Sequence, residues 1–207
     1  MNRKNFLIQS SLAVCSISVF GNVHQEKDKF LSDCETTNDI LGPFYRPKAP
    51  MTQDLTFEGL EGSRVEIKGT VYSDCDEVLE DALVEIWHCN TEGDYDNKSK
   101  DFLHRARWVT NKKGEYSFKT ILPGKYLNGS SYRPAHVHFR ITAENHQELI
   151  SQIYFKGDPH INDDPWASQS KAEQRILPIQ LEDTNGNLTV RFNIFLKKKT
   201  VSKKDKK

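Results

Sequence analysis

The sequence predicts an all-β protein, an antiparallel β-sandwich whose long loops form a site. Short segments rich in β-branched and aromatic residues recur along the chain, several with period-two alternation. Turn-forming stretches separate them, and no long amphipathic helical pattern intervenes. One such segment, Arg133-Pro134-Ala135-His136-Val137-His138-Phe139-Arg140-Ile141, carries two histidines two residues apart. Side chains on a strand repeat every second residue, so His136 and His138 leave one face while Val137, Phe139 and Ile141 leave the other. The apolar set serves the core, which puts both imidazoles where solvent or a site lies. Two imidazoles on a rigid face can ligate one metal ion, and the same pattern also fits a plain solvated face.

Taken in order, residues 1–21 read as an export signal. Arg3 and Lys4 precede an uncharged apolar run over 6–20, with Gly21 after it. The run is too short and too serine-rich for a stable membrane span. Cys15 admits lipid anchoring only as a minor alternative, because Val14 is not the small residue that such a site needs. Residues 22–38 are a polar linker, and the domain spans 39–196. It opens on Gly42-Pro43-Phe44-Tyr45-Arg46-Pro47, whose prolines exclude a regular helix or inner strand; an extended arm pinned by its rings is expected. Residues 65–72 and 82–88 are strands separated by a polar loop, and 90–97 is a turn-rich loop hinged at Gly93. Residues 104–110 and 115–119 are strands joined as a hairpin through Asn111-Lys112-Lys113-Gly114. A turn at 122–126, the histidine strand, a strand at 149–155 and an Asp- and Pro-rich loop at 157–166 follow. Residues 179–182 and 188–196 close the domain as a hairpin around 183–187.

The formal net charge of zero hides an asymmetry. Residues 197–207 hold seven lysines and one aspartate, or +6, which leaves −6 for the rest. An acidic body argues against a nucleic-acid partner. The lysine-rich tail, 197–207, reads as a solvated disordered end. Cys34, Cys75 and Cys89 lie beyond the signal. Export permits a disulfide, the odd count leaves at least one thiol unpaired, and the spacing does not choose any pair. Were the segments bearing Cys75 and Cys89 one antiparallel hairpin, those two would sit too far apart to bridge.

Tyr95 and Tyr126 end loops that flank the histidine strand. Taken alone, each fits a ring packed on a sandwich. A phenol ionises near pH 10 in water, and a ferric ion beside it would favour the phenolate, a hard oxygen ligand better suited to Fe(III) than to Zn(II) or Cu(I). Two phenolates, a hydroxide and two neutral imidazoles would leave little net charge to bury.

The segments GPFY (42–45), VEIWHCNTEGDY (84–95), GEYSF (114–118), PGKY (123–126), RPAHVH (133–138) and QIYFKGDP (152–159) occur in one order. Together they resemble the intradiol ring-cleavage dioxygenases, the protocatechuate 3,4-dioxygenase-like enzymes, in a compact exported form. The resemblance covers about residues 42–196. It implies Tyr95, Tyr126, His136 and His138 as ligands of Fe(3+), with Tyr126 and His138 axial and Tyr95, His136 and a hydroxide equatorial. It implies that Arg133 and Gln152 act at the substrate ring, that Tyr126 takes up a substrate proton, and that Tyr45 and Tyr132 contact the substrate. The implied reaction opens a catechol-type ring with O2 between its two hydroxylated carbons, giving a cis,cis-muconate-type dicarboxylate with no organic cofactor. Segment 127–135 looks shorter than in protocatechuate enzymes, and the chain leaves no room for the helical N-terminal dimerisation domain of catechol 1,2-dioxygenases. Self-association is expected by analogy alone. Two other readings stay open on the residues: an exported β-sandwich binding module that keeps a metal site without turnover, and a Zn or Cu site built from His136 and His138 only.

Overall fold

The computed structural model describes residues 34–181 and 187–200. The export signal, Cys15, residues 22–33 of the expected linker, the turn at 183–186 and residues 201–207 lie outside them.

Strand β1 (Arg64–Ser73) alternates buried and partly exposed residues, with Val65, Ile67 and Val71 on its buried side. It pairs antiparallel with β5 (Glu115–Ile121) and with the short β2 (Glu77–Val78). It also pairs parallel with β12 (Leu188–Arg191) and β13 (Ile194–Leu196), and β11 (Gln180–Leu181) joins β12 at the edge. The second sheet runs β10 (Ile176–Leu177), β9 (Leu149–Phe155), β8 (His136–Thr142), β3 (Leu83–Trp87), β4 (Arg105–Val109). A two-stranded ribbon, β6 (Tyr126–Asn128) with β7 (Ser131–Arg133), stands where a plain loop was expected, and a 3₁₀ turn, Ser170–Arg175, leads into β10. The inner faces of the two sheets form one core. Val84, Ile86, Val137, Phe139, Ile141 and Ile153 meet Val65, Ile67, Val71, Phe118, Val190 and Ile194 there, all buried. Each such side chain contributes about 1.5–3 kcal/mol by leaving water. The fold is the all-β sandwich, mostly antiparallel, with the parallel pairs of β1 and the β9–β10 pair as additions.

Three local expectations give way to tertiary pairing. The Asn111–Gly114 turn forms, with Asn111 Oδ1 accepting from Lys113 N at 2.9 Å and Glu115 N at 3.0 Å. It joins no hairpin, because β4 pairs with β3 and β5 pairs with β1, so the turn hands the chain from one sheet to the other. The closing strand 188–196 is interrupted at Phe192–Asn193, where the Phe192 carbonyl presses against Gly69. A Cβ on Gly69 would lie 1.9 Å from that oxygen. The expected tail begins too early: Lys197 and Lys199 are hydrogen-bonded to Gln147 and Asn145, and Lys198 pairs with Asp74 and Glu77.

Cys34 and Cys75 form a disulfide. Cys75 follows β1 and Cys89 follows β3 of the other sheet, so the two never belong to one hairpin. Cys89 stays a buried thiol that donates to the Gly124 carbonyl at 3.3 Å, and burial pushes its pKa up to about 12. The cross-link ties the start of the N-terminal arm to the loop after β1 across a separation of 41 residues. Replacing Cys34 and Cys75 together by serine should lower the unfolding free energy by about 2–4 kcal/mol in denaturant titrations, as closing a loop of that length implies. A change below about 0.5 kcal/mol would mean that the arm is held without it.

Candidate active site

Strand β8 lies in the middle of its sheet, and its alternation is the expected one: Val137, Phe139 and Ile141 enter the core while His136 and His138 leave the opposite face. Cross-strand register sets their neighbours. His138 stands between Trp87 and Gln152, and His136 stands beside Tyr154. The Trp87 indole stacks on the His138 ring, with centroids 4.8 Å apart and planes 7° from parallel.

This face is not open. The N-terminal arm first follows the edge of β9, with Ser151 Oγ donating to the Thr37 carbonyl and Asp39 N to the Ile150 carbonyl, and then crosses this face, where Gln152 Nε2 donates to the Ile40 carbonyl. Gly42 passes directly over His138 at φ +72°, where a Cβ would meet His138 Cε1 at 3.1 Å. Beyond it Phe44 stacks on Tyr95, with centroids 4.2 Å apart, and Arg105 Nη1 donates to the Phe44 carbonyl at 2.5 Å. The arm is thus extended and pinned by its rings, as the prolines suggested.

Two loops bring in the phenols. Asn90 Oδ1 accepts from Glu92 N and Asp94 N, which wraps the first loop into a tight turn before Tyr95. Gly93, at φ +96°, lies against the second loop, and a Cβ there would sit 2.5 Å from the Lys125 carbonyl oxygen. Gly124 returns the contact, 2.1 Å from the Thr91 oxygen by the same measure, and its N–H donates to the Asn90 carbonyl. Bare Cα atoms on both sides let the backbones touch, and the rings of Tyr95 and Tyr126 meet edge to face at 5.8 Å. Tyr95 Oη reaches 3.3 Å from His136 Nε2, the Tyr126 ring lies 5.6 Å from that imidazole, and the two imidazoles are 5.0 Å apart. A cavity of about 680 Å³ opens above them, lined by Phe44, Tyr95, Tyr126, Leu127, Tyr132 and Trp166 among others.

The electrostatics suit ligation. A carbonyl can only accept, so the 2.7 Å contact to the Pro134 oxygen puts the proton of His136 on Nδ1 and leaves the Nε2 lone pair toward Tyr95. Burial, with help from Arg133, pushes the His136 pKa down to about 4. Burial, His136 and Arg133 hold His138 well below its ordinary value. Both rings are therefore neutral near pH 7. Burial, with Cys89 and Tyr126 nearby, holds Tyr95 well above its ordinary value, so its phenol keeps its proton unless a cation meets it. Among the described residues no three His, Cys, Asp or Glu side chains gather for a metal. Any metal here would draw its anionic ligands from the phenols, which fits a hard trivalent ion.

Arg133 lies beneath the cavity wall in a buried polar chain. It donates to Asp164 Oδ2 through Nε at 2.7 Å, and through Nη2 to Gln152 Oε1 at 3.1 Å and Tyr154 Oη at 3.3 Å. Tyr154 donates to Asp39 Oδ2 at 3.0 Å, and Arg175 donates to the same oxygen at 2.6 Å. Burial opposes the charge on Arg133, but Asp164 outweighs it and holds the guanidinium above its ordinary value.

Of the expected site residues, Tyr95, Tyr126, His136, His138, Arg133 and Gln152 come together, and Tyr132 stands exposed at the rim. Tyr45 does not line the cavity. Its phenol accepts from Arg140 at 3.0 Å and faces Glu85 at 3.3 Å, and its ring packs edge-on against Trp87. Sequence reading missed Trp87, Tyr154, Asp39, Asp164, Trp166 and Arg175. Alternation could have found the first two, since Val84 and Ile86 in the core put Trp87 on the site face, and Ile153 does the same for Tyr154. No local pattern marks the others.

His88, just after β3, is also buried and neutral. Its Nδ1 donates to the Cys89 carbonyl, its Nε2 accepts from Thr120 Oγ1, and burial with His104 nearby pushes it down to about 3. An unfolded chain protonates such rings near pH 6.5, while the folded chain refuses the proton until about pH 3 to 4. Their contribution is therefore complete above about pH 6.5 and is lost as pH falls toward the folded values. Unfolding of the metal-free protein should show a free energy that is level above pH 6.5 and declines toward pH 4, by up to about 1.4 kcal/mol per pH unit for each ring. A free energy that stays level down to pH 4 would contradict neutral burial.

A family model described as Dioxygenase (Dioxygenase_C) matches residues 40–198. A chlorocatechol 1,2-dioxygenase of Rhodococcus opacus is 32% identical over 187 residues, covering 78% of this chain and 72% of that protein. The protocatechuate 3,4-dioxygenase beta chain of Burkholderia cepacia is 31% identical over 150 residues, covering 63% of this chain and 64% of that one. The crystal structure of 3-chlorocatechol 1,2-dioxygenase from Rhodococcus opacus 1CP superposes with a TM-score of 0.72 at 20% identity, over 86% of this chain and 79% of that one, and shares the fold. The chain spans between about half and three quarters of the length of the curated relatives it matches. With the family model spanning nearly all of the sandwich, the chain belongs to the intradiol ring-cleavage dioxygenases.

Proposed function

We propose that the protein is an exported, Fe(III)-dependent dioxygenase that opens the ring of an ortho-diphenol with O2 between the two hydroxylated carbons, giving a cis,cis-muconate-type dicarboxylate. One observation carries this reading: two phenols and two neutral imidazoles, from three separate segments, gather beneath one open cavity. Tyr95, Tyr126, His136 and His138 would hold the metal. Bound there, ferric iron would supply a Lewis acid that takes both oxygens of the diphenol and draws electron density from the ring. The residues of the chain do the rest. Tyr126 Oη, ionised when it holds the metal, would accept one proton from the incoming diphenol. Arg133, always charged and fixed by Asp164, faces anionic character on the ring with a preorganised positive charge. Gln152 holds the Nη2 side of that guanidinium. Phe44, Tyr132 and Trp166 wall the cavity with aromatic surface for the ring substituent. Export is supported by the charged-then-apolar N-terminus and by the Cys34–Cys75 disulfide, which persists in oxidising compartments. No helix of the described residues is long and apolar enough to cross a membrane.

The test is a visible spectrum of the iron-loaded protein, taken before and after anaerobic addition of catechol. Phenolate-to-iron charge transfer should give a red-brown colour that shifts when catechol binds, and Tyr95→Phe or Tyr126→Phe should weaken or shift it. Oxygen uptake with catechol should follow. A colourless protein carrying stoichiometric zinc, indifferent to both substitutions, ends this reading.

A further inference from the structure

We propose that Asp164 is a positioning residue: a single buried carboxylate that holds both Arg133 and Trp166 at the wall that meets the substrate ring. The inference rests on the dioxygenase reading of the cavity above.

Asp164 follows β9 on the Asp- and Pro-rich loop, and its side chain is fully buried. Oδ2 accepts from Arg133 Nε at 2.7 Å. Oδ1 accepts from Ala167 N at 2.7 Å and Trp166 N at 3.0 Å, with Arg133 Nη2 at 3.4 Å. Its backbone carbonyl takes Ser168 Oγ at 2.6 Å and so closes the turn. One side of the carboxylate thus fixes a guanidinium, and the other fixes the backbone of the tryptophan that lines the cavity. The two held groups touch each other: Arg133 Cζ lies 4.3 Å from the centre of the Trp166 ring and 5.9 Å from that of Tyr126. Nothing else described here anchors this loop to Arg133 with a charge. Gln152 and Tyr154 hold the guanidinium from the strand side with neutral oxygens, and they leave its tilt toward Trp166 to Asp164.

Buried ion pairs contribute uncertainly to net stability. A pair at a cavity wall, bonded to the lining itself, serves instead to keep a long side chain in one rotamer before substrate arrives. An asparagine at 164 could still cap Trp166 and Ala167 through its amide oxygen. It would lose the charge and the second acceptor, which frees the guanidinium to tilt.

Steady-state oxygen uptake with catechol, on the iron-loaded full chain, tests this through Asp164→Asn, Arg133→Gln and the double variant. Asp164→Asn should lower kcat about 10- to 100-fold, with KM changed by less than about threefold and the ferric colour per protein unchanged. If Asp164 acts through Arg133, the double variant should be no slower than Arg133→Gln alone. Asp164→Glu should restore part of kcat. In the iron-free protein, Asp164→Asn should make Trp166 emission more accessible to acrylamide, a change that vanishes when Trp166→Phe is added. Losses that multiply in the double variant, a wild-type kcat in Asp164→Asn, or activity that falls only in step with lost colour would each overturn the proposal. Should Asp164→Asn fail to fold, the double variant leaves neither charge stranded, and its comparison with Arg133→Gln decides alone. Should the wild-type protein take up no oxygen, the proposed activity falls, and the Trp166 emission change by itself decides whether Asp164 holds the wall.

Discussion

The structure depends on one constraint, the period-two alternation of a strand flanked on both sides. Because β8 sits between β3 and β9, its apolar residues must face the other sheet, and its two imidazoles must face away. Two polar rings at the centre of a sheet cannot be left to apolar neighbours, since a buried polar group without a partner costs on the order of 1–3 kcal/mol. Much of that side of the sheet answers this demand. The Pro134 carbonyl accepts from Nδ1 of His136, Trp87 stacks on His138, whose Nδ1 has no hydrogen-bond partner among the described residues, and the arm and two loops close above them.

Covering the face brings charges with it, and the charges are matched. Arg133 and Arg175 are opposed by Asp164 and Asp39, and Gln152 and Tyr154 bridge the two ion pairs. Asp39 belongs to the arm, Arg175 to the turn before β10, and Asp164 to the loop after β9. The polar chain therefore does more than seat one arginine. It fastens three peripheral segments to β9, through Gln152 and Tyr154, and to Arg133 at the end of β7. The phenol loops are joined differently, by backbone contact through Gly93 and Gly124, where any side chain would force Tyr95 and Tyr126 apart.

The protonation pattern follows from the same burial. Imidazoles kept from water stay neutral, and a phenol kept from water holds its proton. Such a set accepts a metal cation readily only if the cation is charged enough to displace phenolic protons. That condition favours a hard trivalent ion over a soft one, whichever substituent the substrate bears.

The sequence by itself determined the longer strands, the two faces of β8 and the extended arm, which depend on spacing along a strand or on local turn chemistry. The four residues that converge were implied by the resemblance that the ordered motifs carry, and spacing alone did not single them out. Sequence reading misplaced Tyr45, because a ring next to Phe44 on an extended arm points the opposite way, toward Glu85 and Arg140 instead of the cavity. It also read the Asn111 turn as a hairpin, because turn residues specify a reversal but not which sheet receives the returning strand. Only the tertiary structure decided the Cys34–Cys75 pairing, the parallel partners of β1 and the chain from Asp164 to Arg175. Those contacts join residues far apart in sequence, and their geometry is set by how the two sheets and the arm pack, which no local pattern encodes.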